Sequence, residues 1–128
     1  MYKYIIGEKN MGTIIAGECE CGYHSKDIYV GESGFSGQAI EHFPFHCEDC
    51  DDLVVIDLYS NELTCPKCKG DNLIAYDDER FCTTDSEIYH SVDMSTTFGR
   101  KFILRKDNNL CPKCKKFTLN FKGDGLWD

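Results

Sequence analysis

Nine cysteines in 128 residues, eight of them in close pairs, constrain this chain more than any other feature. The pairs are Cys19/Cys21, Cys47/Cys50, Cys65/Cys68 and Cys111/Cys114, and the last two both read Cys-Pro-Lys-Cys. Paired spacing of this kind points either to disulfides or to metal ligation. A secreted chain would oxidise its thiols. The opening stretch MYKYIIGEKNMGTIIAG has no long apolar run and is broken by Glu8, Lys9 and Asn10, so no export signal is expected. No stretch approaches membrane-spanning length either. The expectation is a cytoplasmic, reducing setting, no membrane contact, and thiolates bound to metal.

A structural zinc ion takes four ligands at the corners of a tetrahedron, with Zn–S near ~2.3 Å. One Cys-x-x-Cys pair supplies two corners and a second pair closes the site. Proline after the first cysteine fixes φ for the curl that brings both sulfurs to one side. Eight paired cysteines therefore predict two zinc ions, with Cys19, Cys21, Cys47, Cys50, Cys65, Cys68, Cys111 and Cys114 as ligands. Iron also suits four thiolates. It is the less expected metal, because the charged, non-aromatic neighbours of these cysteines would not shield a redox centre.

The repeated CPKC knuckle, the CECGY entry and the short strands around them resemble zinc-ribbon proteins. Within that superfamily they resemble small prokaryotic or phage proteins with a Cys-x-Cys-Gly-Tyr start. The resemblance implies a mostly β, metal-stapled fold of two zinc ribbons made from short antiparallel hairpins. Two features depart from the usual pattern. The first pair has one intervening residue rather than two, and Lys69 and Lys115 stand where a knuckle usually has glycine.

Two pairings of the knuckles are open. In a sequential scheme Cys19/Cys21 joins Cys47/Cys50, and Cys65/Cys68 joins Cys111/Cys114. In a nested scheme Cys47/Cys50 joins Cys65/Cys68 across 14 residues, and the outer pairs meet. Chain reach tilts toward the sequential scheme. An unbroken strand from Cys50 through Tyr59 would travel roughly 30 Å at about 3.3 Å per residue, and the five residues that follow recover only about half of that. A turn near Asp57 would remove the difficulty.

Along the chain, Tyr2–Ile6, Thr13–Ala16 and Tyr23–Val30 read as strands. GESGFSG, residues 31–37, reads as a loop. Ser36 can cap a helical turn over Gln38–His42 that Pro44 ends. Leu53–Tyr59 alternates as a half-buried strand, with Val54, Ile56 and Leu58 on one face. Leu73–Tyr76, Phe102–Leu104 and Phe117–Phe121 are further short strands, and Gly123–Asp128 reads as a turn with an aromatic tail. Residues 80–99 have no decided period. The natural division is an N-terminal ribbon over residues 1–60 and a C-terminal ribbon over 61–128, or one compact unit of both.

The formal charge is −8, and it falls to about −12 with eight thiolates and two divalent ions. Such a surface repels nucleic acid unless its basic residues cluster. Arg100, Lys101, Arg105, Lys106, Lys113, Lys115, Lys116 and Lys122 do concentrate in the C-terminal third, interleaved with Phe102, Phe117 and Phe121. Strand alternation produces the same pattern from core aromatics and exposed lysines. Cys82 has no partner at knuckle spacing and reads as a buried small side chain. His24, His42, His46 and His90 are not needed once eight cysteines fill two tetrahedra, His46 being the best spare ligand. The acidic runs at residues 48–52 and 77–79 read as solvated turns.

No nucleophile–base pair, phosphate loop or open metal position can be assembled from these residues, so no enzyme is expected. The expected role is a non-enzymatic zinc-binding scaffold or adaptor that meets a protein partner. The alternatives are nucleic-acid binding through the basic C-terminal ribbon, and rubredoxin-like electron transfer if iron is bound.

Overall fold

A computed structural model of the protein describes residues 12–32, 39–60 and 63–127. The expected strand Tyr2–Ile6, most of the glycine-rich loop and Ser36 lie outside these residues. The described chain is mostly β, as the residue pattern implies. It runs β1 (Gly12–Cys19), β2 (Ile28–Glu32), β3 (Ala39–Cys47), β4 (Asp52–Asp57), β5 (Leu73–Ala75), β6 (Ile88–Met94), one helical turn α1 (Ser95–Phe98), β7 (Arg100–Arg105) and β8 (Leu119–Trp127). No helix among the described residues is long and apolar enough to cross a membrane.

One antiparallel sheet has the order β4-β3-β2-β1-β8, with β5 added to β3, and β6 and β7 form a separate hairpin. Strands from residues 1–60 pair with strands from 61–128 at two places, β1 with β8 and β3 with β5. The β1–β8 ladder runs from Gly12↔Trp127 to Cys19↔Leu119, with a bulge between Ile14 and Ile15. The bulge lets β8 continue where the glycines of the C-terminus suggested a turn. Gly125 takes φ +148°, which a side chain would disfavour.

Pro44 does not end a helical turn. Residues 39–47 are one strand, and Pro44 sits inside it. Its carbonyl accepts from the Tyr76 N–H (3.0 Å), on the side away from its β4 neighbour Val55. On that side the pairing with β2 stops at Glu41 and the pairing with β5 starts at Phe45. The proline nitrogen therefore faces a gap between two partner strands, where no N–H is required. The strand expected from Tyr23 begins only at Ile28 and extends to Glu32. Residues 23–27 instead fold back on β1 through the Glu18↔His24 bridge and the Ser25 N–H to Gly17 carbonyl bond.

The core lies between the sheet and the β6–β7 hairpin. Val54 and Ile56 on one face of β4, and Leu58 just beyond it, are buried as their alternation predicts, and Leu53 of the other face is buried as well. Phe102 of β7 packs against Phe43 and Phe45 of β3 with ring centroids 5.3 and 6.1 Å apart. Residues 80–99 contribute Phe81, Val92 and Met94 to the same core. Their period was illegible because a turn, a strand and a helical turn follow one another within twenty residues.

Side chains of β8 crowd the backbone of β1 at Gly17. A Cβ there would lie 2.9 Å from Phe121 Cε1 and 3.3 Å from Leu119 Cδ1, and both neighbours are fully buried. Gly17→Ala should therefore lower the stability of the metal-loaded protein by about 1–3 kcal/mol. The readout is the midpoint of chemical denaturation, and an unchanged midpoint would contradict this packing.

Candidate metal centres

Each cysteine pair sits in a tight turn. Cys19 ends β1, and its N–H returns to the Tyr23 carbonyl (3.0 Å). Cys47 ends β3 opposite Asp52, the first residue of β4, so Cys47–Cys50 is the turn between them. Cys65–Cys68 precedes β5, which pairs back onto β3 at Cys47↔Leu73. Cys111–Cys114 is enclosed by a reciprocal pair of backbone bonds between Asn109 and Leu119 (both 2.9 Å). Fully buried Asn109 also donates its Nδ2 to the Arg105 and Leu119 carbonyls.

The four knuckles share one backbone device. The N–H of the residue after the second cysteine bonds the carbonyl of the first, in Gly22→Cys19, Asp51→Cys47, Lys69→Cys65 and Lys115→Cys111, at 2.8–2.9 Å. All four residues have positive φ: 101°, 53°, 66° and 62° respectively. The lysines at the usual glycine positions thus adopt the glycine conformation, at a modest strain cost. Curling the chain this way turns amides toward sulfur. Cys50 N–H, Lys67 N–H and Cys114 N–H reach the first sulfur of their own knuckle at 3.4, 3.3 and 3.5 Å.

The knuckles converge in two groups of four, Cys19/Cys21/Cys111/Cys114 and Cys47/Cys50/Cys65/Cys68, with the sulfurs of each within 4.8 Å of one another. This is the nested arrangement, and it corrects the tilt toward sequential pairing. β4 ends at Asp57, where the Ser60 N–H closes a turn onto the Asp57 carbonyl, so the chain does not run outward through Tyr59. The outer knuckles are brought together by the β1–β8 ladder, which places Cys19 opposite Leu119.

The sulfur spacing fits one ion at each centre. Between knuckles, Cys19–Cys114, Cys21–Cys111, Cys47–Cys68 and Cys50–Cys65 lie 3.7, 3.6, 3.7 and 3.8 Å apart. A tetrahedron of thiolates around an ion at about 2.3 Å has edges of about 3.8 Å. A disulfide would hold its sulfurs at about 2.05 Å. Each group can therefore hold a metal ion through four sulfurs, an arrangement compatible with zinc-ribbon-like sites.

Around the Cys19 centre, Thr118 Oγ1 lies 3.0 Å from Cys19 Sγ and 3.7 Å from Cys114 Sγ. Toward a metal-bound thiolate only the hydroxyl can donate. Thr118 was not legible as a site residue, since a threonine four positions after a knuckle carries no motif. Its hydrogen bond holds the Cys19 thiol down to about 6, whereas burial pushes Cys111 up to about 12.

Neither group includes a histidine. His46 is buried beside Cys47 and stacks on Phe81, with ring centroids 4.7 Å apart. Cys82 lies outside both groups. It is buried, its Sγ is 3.5 Å from the Asp78 carbonyl, and burial raises its pKa. In the acidic runs, Asp78 pairs locally with Arg80, whereas Asp51, Asp52 and Asp77 pair with the distant Lys115, Lys67 and Arg100. Comparison with family models, curated proteins and solved structures finds no significant match to this chain.

Metal binding must displace the thiol protons that burial retains, Cys111's among them. Affinity should therefore rise with pH and fall in acid. Competition against a chromophoric chelator at pH 8, 7 and 6 should show at least about a tenfold loss per pH unit, for one or more protons displaced. Equal affinity at all three values would contradict thiolate ligation.

Proposed function

We infer that this chain is a non-enzymatic scaffold, held by two structural zinc ions, that presents its β surfaces to a protein partner. The observation that carries this reading is the completeness of each sulfur tetrahedron. Four thiols occupy all four corners, so an ion held there offers no open position to water or substrate. A structural zinc can contribute on the order of 10 kcal/mol to folding, comparable to the whole net stability of a small domain. Zinc is preferred to iron because the charged, non-aromatic neighbours of these cysteines do not shield a redox centre.

A protein partner is preferred to nucleic acid for two reasons. The net charge is −8. In addition, Arg100, Lys106, Lys115 and Lys122 of the C-terminal basic set are engaged by Asp77, Glu87, Asp51 and Glu18. Of the interleaved aromatics, Phe102 and Phe121 are core residues, which leaves Phe117 exposed. A stacking platform for bases needs several exposed rings.

The same sulfur geometry supports a second reading, electron transfer through iron. Elemental analysis and colour separate the two. The expected result is a colourless protein with two zinc ions per chain, which loses its far-UV β spectrum when a strong chelator removes them. A coloured, iron-loaded protein would favour electron transfer. A metal-poor protein, or an unchanged spectrum after complete metal removal, would overturn the scaffold reading.

A further inference from the structure

The two centres touch. Asp51 follows Cys50 of one centre, and Lys115 follows Cys114 of the other. Their side chains meet at 2.7 Å, with His46 Nε2 3.6 Å from the other Asp51 oxygen. Asp52 receives Tyr23 OH (3.5 Å) from the Cys19 side and Lys67 Nζ (2.5 Å) from the facing knuckle of its own centre. A second connection runs through the core. His46 stacks on Phe81, and Phe81 stacks on Tyr76 with centroids 5.2 Å apart. Tyr76 OH donates to the Leu110 carbonyl (2.8 Å), while the Leu110 N–H donates to the Phe81 carbonyl (2.8 Å). The residue leading into Cys111 is thus clamped by Tyr76 and by Phe81, and Phe81 packs against the residue leading into Cys47.

The centres also differ in what closing them demands. The Cys47 centre closes over 14 intervening residues, whereas the Cys19 centre must bring together knuckles with residues 22–110 between them. Loop-closure entropy therefore favours the inner centre as the first to form. Its closure fixes the Cys50–Asp51–Asp52 turn and docks β5 on β3, which sets the partners that the outer knuckles meet.

We propose that the two centres load cooperatively and in order, the Cys47 centre first, with the Asp51–Lys115 contact and the Leu110 clamp transmitting its closure to the Cys19 centre. This rests on the reading that both groups bind metal. The coupling is reciprocal, since whatever raises the affinity of the outer centre when the inner one is filled also stabilises the inner ion by the same factor.

Cobalt titration of the metal-free full chain, followed by thiolate charge-transfer and d–d absorption, tests this. The wild type should fill in two steps, or in one cooperative step, up to two ions. In Cys65→Ser/Cys68→Ser the outer centre should lose at least about tenfold in affinity. Asp51→Asn keeps a residue that tolerates positive φ and leaves every ligand in place, so it tests the contact without depending on the folding of the ligand variant. It should weaken the outer centre by about threefold, as a largely exposed ion pair would. Lys115→Met should do the same, and the double change should cost no more than either alone. Glu48→Gln, in the same knuckle but outside the contact, should have no effect. Two cobalt ions binding independently, with outer-centre affinity unchanged in the ligand and Asp51 variants, would overturn the coupling and leave the metal reading intact. No cobalt uptake by the wild type would remove both.

Discussion

Four thiolates spaced 3.6–3.8 Å apart across facing knuckles repel one another unless a cation lies between them. That constraint arises twice in this structure, once at each cysteine group. β5 has three residues and β2 five, beside β1, β3 and β8 of eight or nine. Each sulfur centre fastens the ends of the strands it joins. The Cys47 centre fixes β3 to β4 and β5, and the Cys19 centre fixes β1 to the start of β8. Two cysteine groups that can each hold a metal ion flank an aromatic core of Phe43, Phe45, Tyr76, Phe102 and Phe121, and metal ligation is a common supplement to a core this small.

Nesting follows from how the sheet is threaded. The inner centre is made by a local excursion, out along β4 and back to β5, that starts and ends beside β3. The outer centre needs the two flanks of the chain to meet, which they do along the β1–β8 ladder. The cost of the long closure is spread over eight paired positions rather than borne by the metal alone. The positive-φ residue behind each knuckle shows the same local solution used four times. Two of these residues, Asp51 and Lys115, also carry the charges that join the centres.

What was legible in the sequence was local. The eight paired cysteines announce themselves as candidate ligands because a knuckle is encoded within four residues, and the structure gathers them into two groups of four. The strand at Leu53–Tyr59 shows itself by alternation, although it ends at Asp57. Pairing of the knuckles was not legible, because it is decided by ladders between distant strands and by where one strand turns. Pro44 misled in a specific way. Proline excludes a paired N–H, and whether a strand position needs one depends on the neighbours on that side. Residues 88–94 hid as a strand because Ile88 is exposed and only Val92 and Met94 face the core, so alternation covers one end alone. Thr118 and the Leu110 clamp are products of tertiary geometry with no sequence signature.

The most direct test of the nested pair of centres is X-ray diffraction from the zinc-loaded protein, recorded on both sides of the zinc absorption edge. Two anomalous peaks are predicted, one ringed by the sulfurs of Cys19, Cys21, Cys111 and Cys114 and one by those of Cys47, Cys50, Cys65 and Cys68, each about 2.3 Å away. A peak shared by the Cys19/Cys21 and Cys47/Cys50 knuckles, or sulfurs joined as disulfides with no anomalous peak between them, would contradict it.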